Sequence, residues 1–445
     1  MLVLADPAAL SHIYVKHNYK YPHSAYIQSR LGKVLGRSVV WAQGLDVHAS
    51  MRKMLNPIFT AEHTRTHEEH IVEAADRFNA KLLEHLQAQG GSAVIDMKQW
   101  IRRPTLDVIG RAGFNHDFCC GESQDGREIC EVFRAQVKKN ITIKGVMRAA
   151  VARLYPGIFD LPLPAFKLMD FTRLRIHQLA RNYLYRDKQL LGNDLLSVLL
   201  RDSVTKGDDE KAMAQLLEHT TTFILTGFET TASALSYGLW MLAKHPKVQE
   251  RLREEVLSFS GNPNFDDLNG PALPYLDAVC KETMRIFHVN GHTERQASED
   301  DVIPLRFPVR SADGSQVTSI PIKKGQVIVV PGVSVDRLEC VWGADAAEWR
   351  PERWLDPVQL PASSTMNSGW ARLFTFSQGP KSCLGFRLAL YEWKFFVLSL
   401  IRKFRFMDTG VDIVRKVNAV VNIPQPIIVG REEEGPKLPI QLVAL

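Results

Sequence analysis

Phe376-Ser377-Gln378-Gly379-Pro380-Lys381-Ser382-Cys383-Leu384-Gly385 leads straight into the apolar helical run Phe386–Ile401. Glycines at 379 and 385 let the backbone turn tightly around the sulfur of Cys383. Backbone N–H groups in such a turn, together with the N-terminus of the following helix, favour negative charge on that sulfur. A permanent axial metal ligand needs such a thiolate, kept anionic and shielded from oxidation. A lone cysteine ahead of a helix is ordinarily structural. One bracketed by Phe376, two glycines and the cation of Lys381 is hard to reach by chance.

Two further patterns lie upstream and a third between them and the cysteine. Glu282-Thr283-Met284-Arg285 falls in a helical stretch, where residues three apart share a face and can pair. Pro351-Glu352-Arg353-Trp354 supplies a second arginine that can close a buried network on Glu282. Thr226-Gly227-Phe228-Glu229-Thr230-Thr231 sits inside a long apolar helical stretch and, alone, reads as core helix with a tolerated threonine run.

The rest of the chain narrows the class. Its 445 residues, 45% hydrophobic and 23% charged, are those of an ordinary globular protein. A net charge of +6 is mild, and no stretch concentrates Lys and Arg among aromatics. That balance suits an acidic partner or a lipid surface better than nucleic acid. Six cysteines without CxxC or zinc spacing argue against a disulfide framework and point to a reducing compartment. Phe223–Ala243 is long enough to span a bilayer but carries Glu229 and several threonines, so it reads as a buried helix.

Asp6-Pro7 marks a helix start, and apolar spacing predicts helices over 64–90, 122–150, 166–200 and 210–243. The segment 154–166, with three prolines and a glycine among apolar residues, reads as a greasy loop. Val302–Leu305, Ser319–Ile322 and Gln326–Val330 read as strands, with Asp313-Gly314 turning between the first two, and the last 25 residues as a further hairpin. The expected architecture is mainly α with a small β-sheet region, one unit over residues 1–445.

In order and spacing, the cysteine loop, the ExxR pair and the PERW segment resemble the cytochrome P-450 family, over nearly the whole chain. The resemblance implies the family's large helical body with small sheets, and haem b as cofactor. Cys383 matches the proximal haem ligand, whose thiolate pushes electron density onto iron. Phe376 matches the residue packed beside the sulfur, and Gly379, Lys381 and Gly385 match the rest of that loop. Glu282, Arg285 and Arg353 match the structural triad. Gly227, Glu229 and Thr230 match the distal helix, where glycine permits a local widening and the acid–alcohol pair relays protons to bound dioxygen. Arg52 fits the arginine of the WxxxR motif, with His48 in place of the tryptophan, and Arg295 fits a further propionate contact. Lys381 stands where arginine or histidine is usual.

Departures are Thr226, where a small residue is usual, and the polar His288-Val289-Asn290-Gly291-His292 segment, whose histidines are expected in the cavity or at the surface. The chain is also expected to lack the membrane anchor, first helix and opening strands of membrane-bound members, leaving an unpaired sheet edge. The implied activity is a monooxygenase of secondary metabolism, placing one atom of O2 into a lipophilic small molecule with electrons from NADPH through a separate flavoprotein reductase. Lys381, Arg387 and Lys394 would form the docking face. The implied location is intracellular, at the endoplasmic reticulum membrane in a full-length form, with peripheral lipid contact through the 154–166 loop. Two other readings stand beside it: a reductase-independent haem-thiolate isomerase, dehydratase or peroxygenase, and a non-catalytic remnant in which Cys383 is structural.

Overall fold

The computed structural model describes every residue except 141–142, 162, 164–165, 187–195, 198–208 and 419–420. Asp6 opens the chain's first helix, α1 (Pro7–Ser11), by accepting from the N–H groups of Ala8 and Ala9. The same carboxylate accepts from the N–H of Arg306 and Phe307, so one residue both caps a helix and pins it to a strand.

The helices that position the site are α2 (Ala25–Val34), α3 (Leu45–Leu55), α4 (Glu68–Ala88), α5 (Met97–Phe114), α6 (Gln124–Asn140), α7 (Ile143–Leu154), α8 (Lys167–Arg186), α9 (Asp209–Lys244), α10 (Pro274–Ile286) and α11 (Phe386–Lys403). The expected helix 122–150 is thus two, α6 and α7, with 141–142 outside the described residues. The expected helix 166–200 is described only as far as Arg186, with 187–195 and 198–200 outside.

Helix α9 is the axis of the body. Its run of polar residues is buried at little cost because hydroxyls bond back along the helix. Thr220, Thr221, Thr226, Thr230, Ser233 and Ser236 each donate to the carbonyl four residues earlier. Among the described residues no helix is long and apolar enough to cross a membrane, in line with the buried-helix reading. Two glycines mark where neighbours press closest. A Cβ on Gly227 would lie 2.6 Å from Ile109 of α5, and one on Gly238 2.6 Å from Trp393 of α11.

The strands are β1 (Leu2–Val3), β2 (Ser92–Asp96), β3 (Thr293–Gln296), β4 (Asp301–Arg310), β5 (Gln316–Ile322), β6 (Val327–Val330), β7 (Phe404–Asp408), β8 (Ile413–Val417), β9 (Pro424–Ile428) and β10 (Pro439–Ala444). They form sheets ordered β1-β6-β3 and β2-β10-β7 and the pairs β4-β5 and β8-β9. The β4-β5 hairpin turns at Asp313-Gly314 as expected, with Gly314 at φ +87°. Leu2 and Val3 run parallel to Ile328 and Val329, so β6 is flanked on both sides and β1 is the edge of that sheet. One expectation fails. The last 25 residues do not form their own hairpin: β9 pairs with β8, and β10 lies between β2 and β7. An alternating pattern identifies a strand but not its partner.

Gly238→Ala should destabilise the protein by about 1–3 kcal/mol through overpacking against the buried Trp393 ring. The urea midpoint of the variant measures this, and an unchanged midpoint would mean that α11 stands off from α9.

Candidate functional site

Glu282 and Arg285 sit on one face of α10, fully buried, as the ExxR spacing requires. Arg285 grips the Glu282 carboxylate through Nε and Nη2 at 2.9 and 2.8 Å. Arg353, held in a short 3-10 turn, adds Nε at 3.2 Å. The N–H of Arg350 at 2.9 Å and Trp354 Nε1 at 2.8 Å complete the acceptor shell. The remaining guanidinium hydrogens of Arg285 go to the carbonyls of Ala346 and Glu348 at 2.6 and 2.8 Å and of Asp336 at 3.2 Å.

Asp336 carries this network to the cysteine loop. Its buried carboxylate accepts from the N–H of Phe374 at 2.9 Å and from Asn367 Nδ2 at 3.1 Å. His288 buttresses the same strand of chain, with Nε2 3.2 Å from the Phe374 carbonyl and Nδ1 2.8 Å from the Asn290 carbonyl. His288 is therefore a buried strut and lies neither at the surface nor free in a cavity. Sequence reasoning did not find Asp336, because a buried carboxylate that serves backbone N–H groups has no spacing signature.

In the loop itself the Cys383 N–H donates to the Phe376 carbonyl at 2.9 Å. The Phe376 ring stands between Trp370 and Phe386, centroids 5.5 and 6.0 Å away. Gly379 is demanded twice: φ is +70°, and a Cβ would come 2.1 Å from the Tyr14 carbonyl oxygen. Gly385 is not demanded, since φ is −84° and a Cβ would make ordinary 3.7 Å contact with Phe59. Cys383 has an accessible face yet lies deep in the protein. That depth pushes its thiol above the usual range, against the Gly385 N–H and the Arg52 charge, which pull it down. The loop's own donors thus lessen the penalty without overcoming it; a bound metal cation would supply the rest.

Beside the loop is a set of cationic and amide donors. Arg52, on α3, donates through Nη2 to the carbonyls of Pro380, at 2.7 Å, and Ser382. Arg295, on β3, is buried with Nη1 2.5 Å from His23 Nδ1 and its guanidinium 5.0 Å from the Tyr14 ring. The His23 N–H reaches Gln43 Oε1 at 3.3 Å, and Lys381 Nζ reaches the same oxygen at 3.4 Å. Burial, and the charge of Arg295, hold Lys381 down at about 7. His48, buried against Tyr19 Oη at 3.0 Å, is held down at about 4 by burial and then by the charges of Lys381, Arg52 and Arg295. Arg52 Nε, Arg295 Nε and Gln43 Nε2 are buried with no hydrogen-bond partner among the described residues. Buried donors left over around one cysteine loop fit carboxylates, as haem propionates would supply. Gln43 and His23 carried no motif and were missed in the sequence.

Helix α9 brings Thr226, Gly227, Glu229 and Thr230 into two consecutive turns. Thr230 Oγ1 donates to the Thr226 carbonyl at 2.6 Å, and Thr226 Oγ1 to that of Thr222 at 2.7 Å. The helix runs as one element through Gly227, where a Cβ would crowd Ile109 of α5. Glu229 is fully buried between α5 residues: Arg102 grips it bidentately at 2.6 and 2.9 Å, Lys98 lies 2.9 Å away, and Gln425 Nε2 3.3 Å. Burial pushes this carboxyl up, but Arg102 and Lys98 outweigh it and hold it at about 2. Two cations share that one anion, and burial holds Lys98 down at about 8. The pairing with Arg102 and Lys98 thus holds this carboxylate in its ionised form at neutral pH.

Two residues expected on a docking face are placed elsewhere. Lys394 is buried, 2.7 Å from both Asp277 Oδ1 and the Leu268 carbonyl, because the inward face of α11 carries it. Lys381 points to Gln43 at the donor set; Arg387 alone of the three is exposed.

The whole chain superposes on the haem domain of cytochrome P450DA with a TM-score of 0.74, covering 100% of this chain and 87% of that one at 17% identity. For the cytochrome P450 CYP102L1 the TM-score is 0.72, with 100% and 89% covered at 20% identity. These likenesses give the fold: that of a cytochrome P450 haem domain. The cytochrome P450 family model matches residues 1–431. Cytochrome P450 monooxygenase claQ of Ampulloclitocybe clavipes is 30% identical, over 99% of this chain and 83% of the relative. Cytochrome P450 monooxygenase 91 of Postia placenta is 30% identical over 94% and 81%. Ganoderic acid synthetase CYP5150L8 of Ganoderma lucidum is 31% identical over 94% and 82%. The chain belongs to the cytochrome P450 family and is a monooxygenase of that class.

The Glu229 cluster has a definite pH signature. Because its carboxyl is depressed to about 2 from an ordinary 4.5, the stabilisation it gives is complete above 4.5 and lost as pH falls toward 2. Glu229→Gln should cost about 3–5 kcal/mol at neutral pH by leaving Lys98 and Arg102 unpaired, and should flatten the acid limb of the stability curve. Urea unfolding at a series of pH values measures both; an acid limb as steep as the wild type's would mean that Glu229 is not the group responsible.

Proposed function

We propose that Cys383 holds haem b as an axial thiolate, and that the enzyme inserts one oxygen atom of O2 into a lipophilic small molecule in secondary metabolism. The observation that carries this reading is the set of unpartnered buried donors, Arg52 Nε, Arg295 Nε and Gln43 Nε2, gathered at the loop of Cys383. Haem, when bound, would supply the redox chemistry at iron, and Arg52, Arg295 and Gln43, with Lys381 and His23 beside them, would hold its propionates.

The chain's own residues do the rest. Phe376, wedged between Trp370 and Phe386, fixes the cysteine loop in one conformation. Thr230 holds a hydroxyl in one orientation through its bond to the Thr226 carbonyl, so a proton-bearing oxygen is fixed on α9. Glu229, through Lys98 and Arg102, fixes the charge on the opposite side of that turn. Thr226 spends its own hydroxyl on Thr222 and leaves a methyl group for the substrate side, which suits an apolar ligand.

Electrons come from NADPH through a flavoprotein reductase, with Arg387, exposed in the first turn of α11, at the docking face. The endoplasmic reticulum membrane is the proposed location, and the contact lies in the 147–161 region. Met147, Val151, Leu154, Tyr155 and Leu161 are exposed there, Leu154 to 75% and Tyr155 to 69%. Phe159 is buried against Tyr26 and Phe166 and takes no part.

Turnover with NADPH and a flavoprotein reductase tests the central reading; turnover with hydrogen peroxide alone would favour a reductase-independent enzyme. Thr230→Ala should go on consuming NADPH while product per NADPH falls and hydrogen peroxide rises, with Thr230→Ser restoring the ratio. Unchanged coupling in Thr230→Ala would remove that hydroxyl from the proton supply. In liposome flotation, the double variant Leu154→Asp/Tyr155→Asp should partition away from the vesicles. Flotation equal to the wild type would end the membrane reading.

A further inference from the structure

The inward face of α2 presents Tyr26, Ile27 and Arg30, all buried, with Arg30 only 6% exposed. This helix is pinned at both ends to elements of the site. At its start, His23 contacts Arg295, and Ser24, which caps the helix, donates to the buried carboxylate of Glu294. Just beyond its end, Leu35 O and Ser38 Oγ are bonded by Thr222 of α9, at 2.8 and 2.6 Å. Arg30 therefore lies midway along a helix that runs from the cationic donor set to the turn of α9 preceding Thr226.

Around Arg30 the charges do not balance. Glu294 spends its carboxylate on Ser24 and on Arg153 of α7, whose Nη2 is 2.5 Å away. Arg30 makes no ion pair with any described residue, and its guanidinium lies 5.6 Å from the centroid of the Tyr26 ring. Arg153 covers the same ring at 5.0 Å. Burial lowers the pKa of His292 and, with Arg30 nearby, keeps it neutral at physiological pH. Two guanidiniums thus stand against one carboxylate, and one of them is more than nine-tenths buried. Only the charge of Glu294, already committed to Arg153, and the Tyr26 hydroxyl act favourably on Arg30, and a buried guanidinium with no close anion of its own is costly. Adjacent residues on a strand point to opposite faces, so Glu294 and Arg295 assign the two cation clusters to different sides of β3.

We propose that Arg30, backed by Arg153 and Glu294, binds the carboxylate of the substrate, so that this enzyme acts on lipophilic acids. Arg30 forks onto the carboxylate, Tyr26 orients the guanidinium, and Glu294 holds Arg153 close while preventing the two arginines from repelling each other apart. The proposal deepens the monooxygenase reading by naming its substrate class and rests on it.

The experiment is a spectral binding titration of the haem-loaded enzyme, wild type and Arg30→Met, with two matched pairs: dodecanoic acid and methyl dodecanoate, abietic acid and methyl abietate. The reduced carbon monoxide spectrum of each preparation is recorded first. Its failure in the wild type would overturn the haem-thiolate reading and this proposal with it. With that spectrum intact, at least one acid should bind the wild type about tenfold or more tighter than its ester. Arg30→Met should abolish that preference while leaving the ester's affinity unchanged. Equal binding of acid and ester in both pairs would overturn the proposal. So would an Arg30→Met variant that binds acid and ester equally weakly, or that loses haem, since Arg30 would then serve the fold or the propionates. Arg30→Lys, which keeps the charge but not the fork, should recover part of the acid preference.

Discussion

A carboxylate with no exposed surface is tolerable only when every lone pair is engaged, and Glu282 meets that condition with two arginines, an indole N–H and a backbone N–H. The arginines in turn need acceptors, and they find them in carbonyls of the chain between Asp336 and Glu348. An irregular segment that would otherwise have many solutions is thereby held in one. From Asp336 the constraint passes to the N–H of Phe374, and from His288 to its carbonyl, two residues before the loop that presents Cys383. The position of the sulfur is thus set by a chain of polar contacts that begins on α10 and does no chemistry itself.

The same logic organises the other side of the site. On α9, hydroxyls that bond back to carbonyls leave Thr226 and Thr230 without unsatisfied groups. Glu229, one residue away, turns to α5 and is paired there with Lys98 and Arg102. The helix therefore presents a neutral, hydroxyl-bearing face and a charged, closed one. Charge is excluded from the first and concentrated in the second. The donor set at Arg52, Arg295 and Lys381 and the arginine pair at Arg30 and Arg153 supply positive charge at two further places.

Much of this was legible in the sequence because it depends on short, rigid spacings. ExxR works through the helical repeat, and the Cys383 loop is marked by Gly379, whose positive φ and contact with Tyr14 admit no other residue. The strand assignments held where a turn sequence such as Asp313-Gly314 fixed the partner, and failed at β9 and β10, where partners are far apart in the chain. The site residues that escaped notice, His23, Gln43, Lys98, Arg102 and Asp336, act on groups distant in sequence and carry no local pattern. Lys394 was misread for a related reason: a lysine looks like surface until its partner, Asp277 on another helix, is known. Gly227 has a packing reason beside its place in the motif, since a Cβ there would crowd Ile109.

The claim on which the rest stands is that Cys383 binds haem iron as a thiolate in the fold held by Glu282. The direct measurement is the absorbance difference spectrum of the dithionite-reduced protein with and without carbon monoxide. A strongly red-shifted Soret band is expected for the wild type, and its loss in Cys383→Ala. A Soret band at the shorter wavelength of neutral ligation in a freshly prepared, folded protein, or the red-shifted band persisting in Cys383→Ala, would contradict the claim.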